Sequence, residues 1–114
     1  MKFHVIMEEP AITEIERNAR WWSEHYSSHQ AVVWYDTAVD AIYSLESHPE
    51  RHALSPDNQQ FGYEIRDLLF GIGSRPSYRA VFTIQGNAVH ILTVRRAAQD
   101  AVAPGDLQFD PRER

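Results

Sequence analysis

The chain has 114 residues, 43% of them apolar and 11% aromatic, which bounds it to one small domain with too much apolar content for disorder. It has no cysteine, which excludes disulfide scaffolds, cysteine nucleophiles and thiolate zinc sites and fits a reducing compartment. A formal net charge of −5 excludes a broadly basic nucleic-acid binder. The first acids, Glu8 and Glu9, come too early for a secretory leader, and no apolar run approaches the roughly 20 residues of a membrane span.

In chain order, Phe3 to Met7 reads as a short strand. Pro10 suits the first turn of a helix, with Glu8, Glu9 and Glu14 near its positive end. Ile12, Ile15, Ala19, Trp22 and Tyr26 recur at the spacing of one helical face. Trp21 is off that stripe, as an exposed contact or as part of the helix–helix packing. Ser27 and Ser28 interrupt the pattern, with Ser28 as the cap of a second helix that runs to about Ser47. That helix buries Trp34, Ala38, Ala41, Ile42 and Leu45 and is stopped by Pro49. So short a link makes the two helices antiparallel neighbours.

Residues 48–60 are polar and turn-rich, without a helical or strand period. Tyr63 to Leu69 alternates as a strand, with Tyr63 and Ile65 toward the core and Glu64, Arg66 and Leu68 on the opposite face. Gly71 to Pro76 is a loop; Gly71, Gly73 and Ser74 lack the Gly-Lys-Ser/Thr ending of a phosphate site. Tyr78 to Ile84 is a strand, Gly86-Asn87 a hairpin turn, and Ala88 to Val94 its partner. A mixed-charge tail expected to fray follows. The order is β-α-α-β-β-β. It predicts an α+β domain over residues 1–100, a helical hairpin on one face of a mainly antiparallel twisted sheet, with 101–114 as a C-terminal tail.

The charge is unevenly spread. Residues 1–50 carry three bases against nine acids, whereas residues 51–100 carry six bases, all arginine, against four acids. A two-residue turn at Gly86-Asn87 sends Arg79, Val81, His90, Leu92, Val94 and Arg96 to the face away from the helices, with Arg66 beside them. A one-residue slip would exchange Arg96 for Arg95. A partly apolar face carrying arginines needs a cover. Either the tail folds back on Leu107 and Phe109, or a partner chain or phosphate-bearing ligand sits there. Four-residue spacing also joins His25 to His29 and His48 to His52, but Ser27-Ser28 and Pro49 break each pair, so these read as surface histidines and no metal site is expected. Ser74 and Ser77 lack a hydrolase arrangement, and His90 is structural.

Gly62-Tyr63-Glu64-Ile65-Arg66-Asp67-Leu68, then Ser77-Tyr78-Arg79-Ala80-Val81-Phe82, then Val89-His90-Ile91-Leu92-Thr93-Val94-Arg95-Arg96 follow the helix pattern Ala11, Ile15, Tyr26 and Ala31, Ala38, Ile42, Leu45, Pro49. In this order the chain, from Phe3 to about Asp100, resembles the RelE/ParE superfamily of bacterial type II toxin–antitoxin toxins. The resemblance implies a cytoplasmic toxin held inactive by an antitoxin, without a cofactor, as a homodimer or a toxin–antitoxin hetero-oligomer. It implies two branches. RelE-like members cut mRNA in the ribosome without a metal, and here Arg66 and Arg79 would supply cations, with Glu64 as a base. ParE-like members block DNA gyrase. Residues Ala97 to Val102, where nuclease members often carry His or Tyr, hold no titratable ring, which leans the resemblance toward the ParE-like branch. The residues expected to meet antitoxin or target are Arg66, Arg79, Val81, Leu92, Val94, Arg95 and Arg96. A member that only binds its partner, without toxicity, is the third reading.

Overall fold

In the computed structural model, which describes residues 2–73, 75–98, 101–107 and 109–111, the chain runs β1 (His4–Met7), α1 (Glu9–His25), α2 (Ser28–Tyr43), β2 (Arg66–Phe70), β3 (Tyr78–Gln85) and β4 (Ala88–Arg96). Ser74, and the Gln99 and Asp100 at the boundary drawn between domain and tail, lie outside the described residues. The strands form one sheet in the order β1-β4-β3-β2, with β1 parallel to β4 and the other pairs antiparallel. The helices pack on one face, giving the α+β arrangement that the sequence predicts.

Local chemistry explains the elements. Pro10 sits in the first turn of α1, where a missing N–H costs nothing. The buried positions are Ala11 and Ile15, while Ile12 and Tyr26, expected inside, are exposed. The chain leaves β1 with the Glu8 N–H bonded to the Ile91 carbonyl at 3.0 Å, and this connection sets how the helix is rotated about its axis. In α2 the cap is Ser27 rather than Ser28: its hydroxyl accepts from the Gln30 N–H at 3.1 Å. Trp34, Ala38, Ile42 and Leu45 are fully buried, as their spacing predicts. The α-helix ends at Tyr43, and a 3-10 turn over Ser44–Glu46 carries Leu45 into the core. Opposite the helices, Phe70, Tyr78, Phe82, Val89 and Ile91 complete that core.

The hairpin forms as expected, with Gln85 opposite Ala88 and Ile84 opposite Val89. Gly86 has φ of 62°, the conformation a type II′ turn requires at its first central position. Gly71 is constrained by space instead: a Cβ there would lie 2.5 Å from the Arg75 carbonyl oxygen. This accounts for the glycine in a loop that resembles no phosphate site.

Two strand faces differ from the sequence reading. In β2, Arg66 pairs with Phe82, Leu68 with Ala80 and Phe70 with Tyr78. Leu68 therefore belongs to the helix-side core, and Ile65 and Tyr63 pack on the far side. Ile65, just before the strand, is buried on the far side, whereas Leu68 and Phe70 within it are buried on the helix side and Leu69 is exposed. The apolar pattern thus changes face where the strand begins. In β4, Phe82 faces Ile91 but Val81 faces Thr93, which leaves Leu92 as a bulge. The extra residue inverts the alternation beyond it. Val94 enters the helix-side core and Arg96 lies opposite Tyr78, while Arg95 lies opposite Arg79.

The far face is not bare. Ile65, Val81 and Leu92 are covered by Val102 and Phe109 of the tail, with Leu107 packed beside them. The fraying expected of the tail does not occur over 101–107 and 109–111, because this face offers it an apolar seat. Phe109 also packs on the His90 ring, centroids 4.6 Å apart, and His90 Nδ1 lies 2.7 Å from Glu8 Oε2. Truncating Phe109 to alanine should lower unfolding stability by about 3 kcal/mol, measured by urea denaturation; a change below about 0.5 kcal/mol would show that the tail is not seated in solution.

Candidate functional site

The far face carries an unusual electrostatic cluster. Arg79, on β3, is only 4% exposed. Its Nη1 donates to Asp67 Oδ2 at 3.0 Å and Ser55 Oγ at 3.3 Å, and its Nη2 donates to Asp57 Oδ2 at 2.9 Å. Asp67 comes from β2, whose pairing with β3 brings its carboxylate onto the face of Arg79. Asp57 and Ser55 come from the turn-rich segment, anchored to the sheet where the Ser55 N–H bonds the Ile65 carbonyl at 2.8 Å. The Asp57 carboxylate also accepts the Val102 N–H at 3.0 Å, tying the tail to the same charge.

Burial alone would raise the Asp57 carboxyl. Hydrogen bonds from Arg79 and Val102, with the charges of Arg79 and Arg95, overcome that cost and hold it below the ordinary carboxylate range. Burial also works against the charged form of Arg79, and bonding to Asp57 and Asp67 more than restores it, so its affinity for its proton rises. The cluster is thus an ion network in which one guanidinium is held by two carboxylates. A phosphate reaching Arg79 would have to displace two carboxylates.

The other predicted residues part company. Arg95 follows Arg79 on the far face and clamps the tail, donating to the Ala101 carbonyl at 2.8 Å and lying 3.6 Å from Asp106 Oδ2. Val81 and Leu92 are buried beneath the tail. Arg66 was expected beside Arg79 and instead lies on the helix side, donating to the carbonyls of His52 at 2.6 Å and Glu50 at 3.3 Å. Its nearest acid is Glu64, 3.6 Å away. Val94, expected on the far face, is in the helix-side core. Arg96, expected there too, lies over the Trp21 ring, 5.1 Å from its centroid. The bulge at Leu92 causes both displacements.

Sequence reasoning missed Asp57, Asp67 and Ser55. Correct parity in β2 would have put Asp67 on the Arg79 face; nothing local marks Asp57. Among the four paired histidines, His52 is half-buried rather than on the surface. Burial, then the charges of Arg51 and Arg66, push its pKa down. Among the described residues no group of three or more His, Asp or Glu is arranged to hold a metal ion. No described helix is long and apolar enough to cross a membrane.

Arg79→Ala would strand two carboxylates and should cost about 3–5 kcal/mol, read by urea denaturation; a loss under about 1 kcal/mol would refute the network. The pH dependence has a definite sign. Because folding depresses the Asp57 carboxyl, its contribution is complete above the ordinary value of about 3.9 and disappears as pH falls through the lower folded value. Thermal unfolding from about pH 7 to pH 2.5 should therefore show Asp57→Asn less stable than the parent at neutral pH, the two curves converging in acid.

No protein-family model and no curated protein matches the sequence of this chain. Its fold is nonetheless that of a solved structure described as "Chromosomal ParDE TA system from P. aeruginosa". The match has a TM-score of 0.69 over 83% of this chain and 96% of that one, at 15% identity. At that identity the likeness is one of fold, and the α+β arrangement of this chain is ParE-like.

Proposed function

We propose that the chain is the toxin component of a type II toxin–antitoxin system, ParE-like, which acts in the cytoplasm by binding and inhibiting DNA gyrase and is neutralised by a cognate antitoxin. The observation that carries this reading over RNA cleavage is the state of Arg79, whose guanidinium is already paired with Asp57 and Asp67. Metal-free cleavage needs cations aimed at the charge that develops on phosphorus. Here Arg79 is committed to protein carboxylates, and Arg66 is on the other side of the sheet, bonded to backbone carbonyls. Two cations that do not converge cannot clamp one phosphate. The ParE-like fold supports the same reading.

Of the residues predicted to meet a partner, those that reach solvent are Arg66 and Arg96 on the helix side and Arg95 on the far face. The side chains of Arg66 and Arg95 are each 21% exposed and Arg96 is more so, so a partner that meets all three must wrap around the sheet. Arg79, Val81, Leu92 and Val94 are buried and offer a partner no direct contact.

Expression without an antitoxin in a bacterial host is the test. The expected result is growth arrest with a DNA-damage response, and purified protein should inhibit gyrase supercoiling in vitro. Rapid translation arrest with cut mRNA would overturn the proposal in favour of a ribosome-dependent nuclease. Unaffected growth would leave a chain that only binds its partner.

A further inference from the structure

At the turn of the helical hairpin, α1 ends in four rings within six residues: Trp21, Trp22, His25 and Tyr26. Trp22 and Tyr26 stack with centroids 4.8 Å apart, and Trp21 stacks on His25 at 4.3 Å. Tyr26 is nevertheless 64% exposed. Trp21 carries the Arg96 guanidinium on its face. Between α1 and the start of β3 is an open cleft of about 170 Å³ lined by Trp21, Trp22, Tyr26, Ser77, Tyr78 and Arg96.

We infer that this cleft docks an acidic peptide segment of a partner protein, which inserts one apolar or aromatic side chain among the rings and sets an adjacent carboxylate on Arg96. Size argues for a side chain, because pockets for nucleotides and other cofactors run to about 300–1,000 Å³. Charge argues for an acid. Arg96, like Arg20, Arg51 and Arg75, has no carboxylate in ion-pair contact among the described residues, and of these it is the one that lines the cleft. None of the six lining residues is acidic.

Preorganisation favours binding. Stacking on Trp21 holds the guanidinium fork in place before a ligand arrives, and stacking on Trp22 does the same for the Tyr26 ring. Ordering costs at such a site are already met in the free protein. The Tyr78 hydroxyl accepts from Trp22 Nε1 at 3.2 Å and keeps its own proton for a ligand oxygen. Tyrosine, tryptophan and arginine around a small concavity are the residue types that dominate binding energy at protein interfaces. A nucleic acid is the poorer fit, since residues 1–50, which contain the hairpin, carry nine acids against three bases.

This inference stands apart from the toxin reading, because its test uses purified protein and synthetic ligands and no growth assay. Trp21 and Trp22 line the cleft while Trp34 is fully buried in the core, so indole fluorescence reports on the site. The probe is a capped hexapeptide, Asp-Glu-Phe-Asp-Leu-Glu, compared with its neutral counterpart Asn-Gln-Phe-Asn-Leu-Gln and with hexauridylate. The acidic peptide should give a saturable fluorescence change, and the neutral one should bind at least tenfold more weakly. Arg96→Ala and Tyr26→Ala, both at exposed positions, should each weaken binding at least tenfold with unchanged thermal unfolding. Arg96→Lys should not restore it. Equal binding of the neutral peptide, tighter binding of hexauridylate, an Arg96→Ala variant that binds normally, or no response to the acidic peptide would each overturn the inference. So would sedimentation showing that the cleft is closed by a second copy of the chain.

Discussion

A guanidinium buried against a sheet has to be neutralised where it sits, and the neutralisation of Arg79 organises the far side of this molecule. Asp67 reaches it from the neighbouring strand and Asp57 from a segment with no regular period. The same Asp57 oxygen that meets the guanidinium also accepts the Val102 N–H. One charge thus fastens the turn-rich segment to the sheet and the tail to that segment. Buried ion networks add little net stability compared with apolar packing, but they are costly to leave incomplete. This one therefore constrains where its strands and loops can lie more than it strengthens the fold.

The apolar half of the same face depends on that arrangement. Val81 and Leu92 flank the arginine and need a lid, and the tail supplies it with Val102, Leu107 and Phe109. Arg95 closes the tail from its other side through Ala101 and Asp106. A face that could have been a phosphate platform is instead an internal joint, its cations matched by carboxylates and its apolar surface covered by the chain itself.

The outward chemistry is displaced to the helix side. Arg96 crosses the sheet because Leu92 adds a residue to β4, and there it meets the aromatic end of α1. A guanidinium on an indole, with no carboxylate in ion-pair contact among the described residues, is poised to engage an anion on another molecule in a way that Arg79 is not. The proposed binding is thereby separated from the buried network.

Much of this was legible locally. The period of apolar residues determines two helices and the buried positions of α2, and Gly86-Asn87 determines a hairpin whose first pairs follow directly. These features depend on residues a few positions apart, so the chain specifies them by itself. The facing of Arg66, Val94 and Arg96 was decided only in the tertiary structure. Side-chain direction in a strand has a period of two, so one bulged residue, or an apolar pattern that changes face where the strand begins, reverses it without changing the pattern that marks the strand. The partners of Arg79 were decided there too, because Asp67 and Asp57 lie 12 and 22 positions away along the chain. Sequence alone established that the arginines gather in the half of the chain that forms the sheet; only the packing of loop, tail and bulge decided which of them is spent inside the fold and which is left for a partner.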